Sequence, residues 1–210
     1  SSSPLKKYVS KTEYSFVSDL IKTKDLKKNI ASFEFSSKKK IILVSIKKNY
    51  TSSEIENLGA TFYEQFKNSK ISNFYLNSNS LPSNYKNTIG HFLHGLNLKS
   101  YSFDKYKSKK NKNNITIHVF GKNIPSSKDQ LKFKAIEEGT FYTRDLVSEP
   151  GNILHPDEYA RRLNSLKKIG LKINIYDEKK LRKLGMNTLL GVGQGSIRGS
   201  YLVTMEWNGL

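Results

Sequence analysis

At 210 residues, with 36% apolar and 11% aromatic side chains, the chain is long enough for one substantial domain, or for one and part of another, and too apolar for disorder throughout. It contains no cysteine, which excludes disulfides and thiolate metal or nucleophile chemistry and suits a reducing cytoplasm. A net charge of +18 invites a polyanionic partner, yet every arginine lies at or after Arg144 and the earlier charge is lysine amid abundant Asn and Ile. That bias is what an AT-rich genome produces, whereas a dedicated reader of phosphate or guanine uses arginine's planar fork. Composition therefore favours a solvated lysine-rich surface over a basic patch built for binding. The opening "SSSPLKKYVSKTEYSF" lacks the apolar core of a secretory signal, and no run approaches the roughly 20 apolar residues that span a bilayer.

The first forty residues give no clear pattern. Ile41 to Ile46 then reads as a short β-branched strand flanked by lysines. Thr51 or Ser52 can cap a helix whose apolar positions Ile55, Leu58, Phe62 and Phe66 recur at helical spacing. Residues 71–76 form the next strand, a helix runs from near Pro82 to Leu96, residues 107–114 make an exposed basic loop, and residues 114–120 alternate as another strand. Such alternation predicts an α/β layered domain. From Ser126 or Ser127 to about Val147 one long helix follows, with Leu131, Ala135, Phe141 and Leu146 as its expected buried positions. Gly139 costs that helix up to about 1 kcal/mol. Pro150 and Gly151 mark a boundary. Beyond it, Pro156 suits a first helical position and Gly170 the stop, "LKINIYD" is a strand, "EKKLRKLG" a short helix, and Tyr201 to Met205 the last strand.

Few residues offer chemistry by themselves. "GVGQGSIRGS", residues 191–200, misses the dinucleotide fingerprint, since Ser196 stands at the third glycine position and a strand, not a helix, follows. It reads as a flexible loop. His91 and His94 lie three apart on the predicted helix, but two imidazoles do not make a zinc site, which needs three or four ligands. His118, in an alternating strand, reads as a satisfied or solvent-facing histidine and not a catalytic one. Glu137 and Glu138 are adjacent on a helix and diverge, so they form no general acid/base pair. Asp104 sits among lysines as an ion-pair partner, and no G-x-S-x-G elbow supports a serine nucleophile.

Four segments in order, "SYSFDKYKSKK" at 100–110, "RDLVSEPGNILHPDEYA" at 144–160, "LGMNTLLGVGQGS" at 184–196 and "YLVTMEWNG" at 201–209, resemble the leucyl aminopeptidase family, the cytosol aminopeptidases. "KKIILVSIKK" upstream is also similar to that family's amino-terminal domain, with "SIKK" where a glycine-containing turn is usual. The family pattern N-E-P-x-N-x-L-T-P stands here as "SEPGNILHP", departing at Ser148 and His155. His155 replaces a residue that would cap the helix at Pro156, a loss of about 1 kcal/mol.

The resemblance implies a macro-domain-like amino-terminal α/β domain over 1–125, a linking helix over 126–149, and the truncated start of an α/β catalytic domain over 150–210. Residues 191–200 would then be the connection into a catalytic-domain strand. It further implies a cytoplasmic hydrolase, usually hexameric, that removes N-terminal residues from peptides with two divalent ions, zinc, manganese or magnesium. The metal ligands belong to motifs of the type G-K-G-x-x-F-D-S-G-G and N-T-D-A-E-G-R-L, which are absent. No catalytic or metal residue therefore carries over to any position here, substrate-binding positions stay unassigned, and the chain alone is expected to be an inactive fragment that binds no metal. Some bacterial members of the family bind DNA, and the charge permits a nucleic-acid-binding module as the alternative. A degenerate truncated product is the third reading.

Overall fold

Four apolar side chains on one stripe organise the first half of the chain. Ile55, Leu58, Phe62 and Phe66 of α2 (Ser52–Phe66) are buried together with Phe92 and Leu96 of α3 (Thr88–Ser100) and with Ile30. The computed structural model describes residues 5–23, 29–36, 39–81, 87–109 and 115–209. These fall into two units, Ser1–Thr143 and Arg144–Leu210. Both mix helices with strands, so the fold class is α/β.

In the first unit, Thr51 starts α2 through a capping box. Its side chain accepts from the Glu54 N–H while the Glu54 carboxylate accepts from the Thr51 N–H at 2.7 Å, which satisfies two otherwise orphaned donors. α2 and α3 approach until their backbones touch. A Cβ added at Gly59 would lie 1.9 Å from the Phe92 carbonyl oxygen, and one at Gly95 would lie 1.9 Å from that of Glu56. Around this helix pair stand β1 (Ile30–Ser36) and β2 (Lys39–Val44), antiparallel with Ile30 opposite Val44, and β3 (Asn73–Asn77) and β4 (Thr116–Phe120), parallel with Tyr75 opposite His118. Strand alternation sends Phe74, Leu76 and Ile117 towards the core. The first helix, α1 (Lys11–Thr23), sets Phe16 edge-on to Phe35 of β1 at 5.7 Å.

α4 (Ser127–Ser148) meets α3 through Phe133 and Glu137, and its Phe141 lies against Tyr101 just past the end of α3. In the second unit, α5 (Pro156–Asn164) tightens into a 3-10 stretch, Ser165–Ile169, which Gly170 ends with φ 97°. That left-handed turn favours glycine. β5 (Lys172–Tyr176), α6 (Glu178–Lys183), α7 (Asn187–Gly193) and β6 (Leu202–Glu206) follow. β5 and β6 pair antiparallel with Ile173 opposite Met205, and Leu146, Ala160, Leu163, Ile173 and Leu181 are buried.

Several expectations change. The unpatterned start holds α1 and β1, and β2 covers Lys39–Val44 and not 41–46, with Ile46 packing from beyond the strand. The helix expected from Pro82 begins at Thr88 after a left-handed Asn87, while residues 82–86 lie outside the described ones, as do 110–114 of the basic loop and of the strand start at 114. On α4, Leu131 and Ala135 are exposed, Phe141 is half-buried and Leu146 is buried. The inward face is set by Phe133, whose ring lies against both histidines of α3, and by Glu137, which bonds His94, a partly polar seam that apolar periodicity does not reveal. The helix expected to continue to Gly170 leaves the α form after Asn164. Residues 191–200 are not wholly loop, because Gly191 to Gly193 form the last turn of α7. No described helix is long and apolar enough to cross a membrane.

Candidate functional site

The histidines of α3 face carboxylates from two other helices. His91 Nδ1 meets Glu56 Oε1 of α2 at 2.8 Å, and His94 Nδ1 meets Glu137 Oε1 of α4 at 2.8 Å. Asn97 Nδ2 donates to the other Glu137 oxygen at 3.1 Å, and the Phe133 ring lies 5.1 Å from both imidazoles. Each histidine is thus committed to a different acid. Glu138, next to Glu137, points out towards Lys134, so the two glutamates do diverge. Among the described residues no three His, Cys, Asp or Glu side chains gather as a metal site. The described residues therefore do not fit a two-metal centre, and the cluster's chemistry is that of a polar seam holding three helices.

The second polar cluster grows from "SEPGNILHP". α4 ends in this segment, and the turn before Pro156 brings Glu149 beside α5. The Glu149 side chain is only 1% exposed and accepts from Arg162 Nη1 at 2.9 Å. Arg162 Nε donates to Glu158 at 2.8 Å, and Arg161 grips the same carboxylate through Nε and Nη2 at 2.6 and 2.7 Å. Hydrogen bonds from Arg161 and then Arg162 draw the Glu158 carboxyl down to a pKa of about 2. Hydrogen bonds to Glu158 and then Glu149 push the Arg162 guanidinium above its usual value. One buried and one half-buried carboxylate are bridged by a single arginine from the last turn of α5, which ties the motif to that helix.

His155 stands at the N-cap of α5 without capping it, as its substitution for a capping residue implies. Its Nδ1 is hydrogen-bonded to Asp157 instead. Burial raises the Asp157 pKa, but the bond to His155, its own backbone N–H and the charge of Arg198 together carry it below the ordinary value. Asp104 pairs with Lys107 at 2.7 Å, and His118 Nε2 bonds Asn73 Oδ1 at 3.1 Å, both in keeping with their structural readings. Sequence reasoning quoted Glu149 only within its motif and overlooked Arg162. The available signal was Glu158 followed at three and four residues by arginines, the spacing at which helix side chains meet.

The catalytic domain of the cytosol aminopeptidase family matches residues 141–210. A probable cytosol aminopeptidase of Phytoplasma mali (strain AT) is 45% identical over 128 residues, covering 58% of this chain and 26% of that protein. One from Chelativorans sp. (strain BNC1) is 41% identical over 122 residues, covering 55% and 24%. The chain thus spans about a quarter of the length of the curated relatives it matches. Among solved structures, a tomato leucine aminopeptidase mutant aligns with TM-score 0.74 at 18% identity over 92% of this chain and 40% of that one. The bottromycin maturation enzyme BotP in complex with Mn aligns with TM-score 0.68 at 19% identity over 85% and 39%. At such identities these two likenesses speak for the fold alone. Residues 141–210 thus match the catalytic domain of the cytosol aminopeptidase family, and the curated relatives, more than 40% identical over a little over half of this chain, are named probable cytosol aminopeptidases.

Proposed function

We propose that this chain is the amino-terminal part of a two-metal aminopeptidase that removes N-terminal residues from peptides in the cytoplasm. The observation that carries the reading is the match of residues 141–210 to the family's catalytic domain, supported by relatives named cytosol aminopeptidases. The divalent ions, manganese, zinc or magnesium, would be held by lysine and carboxylate motifs that these 210 residues do not contain. These residues alone are then inactive, bind no catalytic metal, and supply folding and assembly surfaces, with a homohexamer as the assembled form.

The test is hydrolysis of a chromogenic leucine substrate with added manganese or zinc, by this chain and by a polypeptide extended through the downstream family motifs. Activity in the longer polypeptide alone supports the reading. Activity in the 210-residue chain overturns its inactivity, and activity in neither overturns the aminopeptidase assignment.

A second reading, nucleic-acid binding, is favoured by where the charge lies. Residues 1–143 carry 25 lysines against 11 acidic residues, so +14 of the +18 net charge sits in the first unit. Affinity for DNA should then fall steeply with added salt. Salt-insensitive or absent binding overturns it.

A further inference from the structure

The charge of the first unit names no site, whereas the outer face of the parallel pair β3 and β4 offers one. Strand alternation that sends Phe74, Leu76 and Ile117 into the core sends Tyr75, His118 and Phe120 outward. Tyr75 is 74% exposed and Phe120 48% exposed, a large apolar display for a sheet face. Tyr75 lies opposite His118 in register, and their rings stack at 4.9 Å with 21° between planes. The His118 ring is in turn fixed by the bond from Nε2 to Asn73 Oδ1 at 3.1 Å. Phe120 follows two residues along β4, about 7 Å away on the same face. Lysines stand by chain position at both ends of the pair, Lys70 before β3 and Lys122 after β4, and both are exposed.

We infer that this face is a stacking platform for single-stranded nucleic acid, in which Tyr75 with His118 receives one base and Phe120 the next, while Lys70 and Lys122 neutralise flanking phosphates. The inference rests on the nucleic-acid reading above and gives it a strand type and a location. Bases in a duplex hide their faces, whereas a single strand offers them to aromatic side chains. A parallel sheet face with its rings already aligned loses little freedom on binding, and the lysine-rich unit supplies the complementary charge.

The test uses the whole 210-residue chain and fluorescent oligothymidylate, titrated by anisotropy at several salt concentrations beside a mixed-sequence duplex of equal length. The single strand should bind more tightly than the duplex. Tyr75→Ala should weaken oligothymidylate binding about tenfold, equivalent to ~1.4 kcal/mol, with an unchanged salt slope, and Tyr75→Phe should restore it. Phe120→Ala should act in the same direction, and Lys122→Ala should instead lower the salt slope. All four substitutions are at exposed positions, and an unchanged circular dichroism spectrum confirms folding. Equal binding of duplex and single strand, with Tyr75→Ala silent, overturns the platform and leaves the charge reading standing. No binding of either nucleic acid at low salt overturns both.

Discussion

Gly59 and the Phe92 carbonyl oxygen are so close that a Cβ on the glycine would sit 1.9 Å from that oxygen. The obstacle is backbone on a partner helix, which cannot swing away as a side chain can. Gly59→Ala should therefore part α2 from α3 and lower stability by about 3 kcal/mol, at the upper end of overpacking costs. Gly95→Ala should do the same against Glu56. Urea denaturation followed by circular dichroism checks both.

Gly139 provides the opposite case. It lies within α4 with nothing within 4 Å of an added Cβ. Gly139→Ala should raise stability by about 0.5–1 kcal/mol through helix propensity and a less flexible unfolded chain. The same denaturation curve should shift to higher urea.

Arg162→Met would take from Glu149, whose side chain is almost fully enclosed, the guanidinium it bonds at 2.9 Å. Breaking a buried pair by removing one partner costs about 3 kcal/mol. Glu149→Gln combined with Arg162→Met should recover part of the loss, and a double-mutant cycle on urea midpoints measures the coupling.

Acid should act through Glu158. Its carboxyl is held at about 2 in the folded chain against an ordinary 4.5, so its contribution is fully present above 4.5 and is lost as pH falls through the folded value. Stability should decline between pH 4.5 and about 2, and Glu158→Gln should flatten that limb. Thermal melts across the window supply the measurement.

At the start of α5, His155→Ser should supply the missing cap and stabilise the helix by about 1 kcal/mol, less whatever the lost bond to Asp157 contributes. A rise in the midpoint of thermal unfolding is the expected result.

Legibility followed the kind of signal each element carried. α2 was readable almost residue by residue because its cap, its acidic partner at N3 and its four-residue apolar stripe all agree. β5 and α6 were equally clear, bounded by Gly170, Asp177 and Gly185. The inward face of α4 was not, because Phe133 and Glu137 are selected by the imidazoles of α3, and no periodicity along α4 encodes a partner on another helix. β1 is not legible because its two buried positions, Ile30 and Phe33, stand three apart and break the alternation a strand should show. The Glu149 to Arg162 bridge was hidden for a different reason: burial of a single carboxylate leaves no trace in composition.

The parallel pairing of Asn77 with Phe120 and Asn73 with Thr116 also has a consequence in time. During synthesis at roughly 5–20 residues per second, β3 leaves the ribosome a few seconds before β4 exists to pair with it. Through that interval "NFYLN" is an apolar strand with unpaired backbone, shielded only by whatever α2 and α3 have already formed. Substitutions that delay the joining of those two helices should then reduce the yield of soluble chain beyond what their equilibrium cost explains, and chaperone supply should restore it.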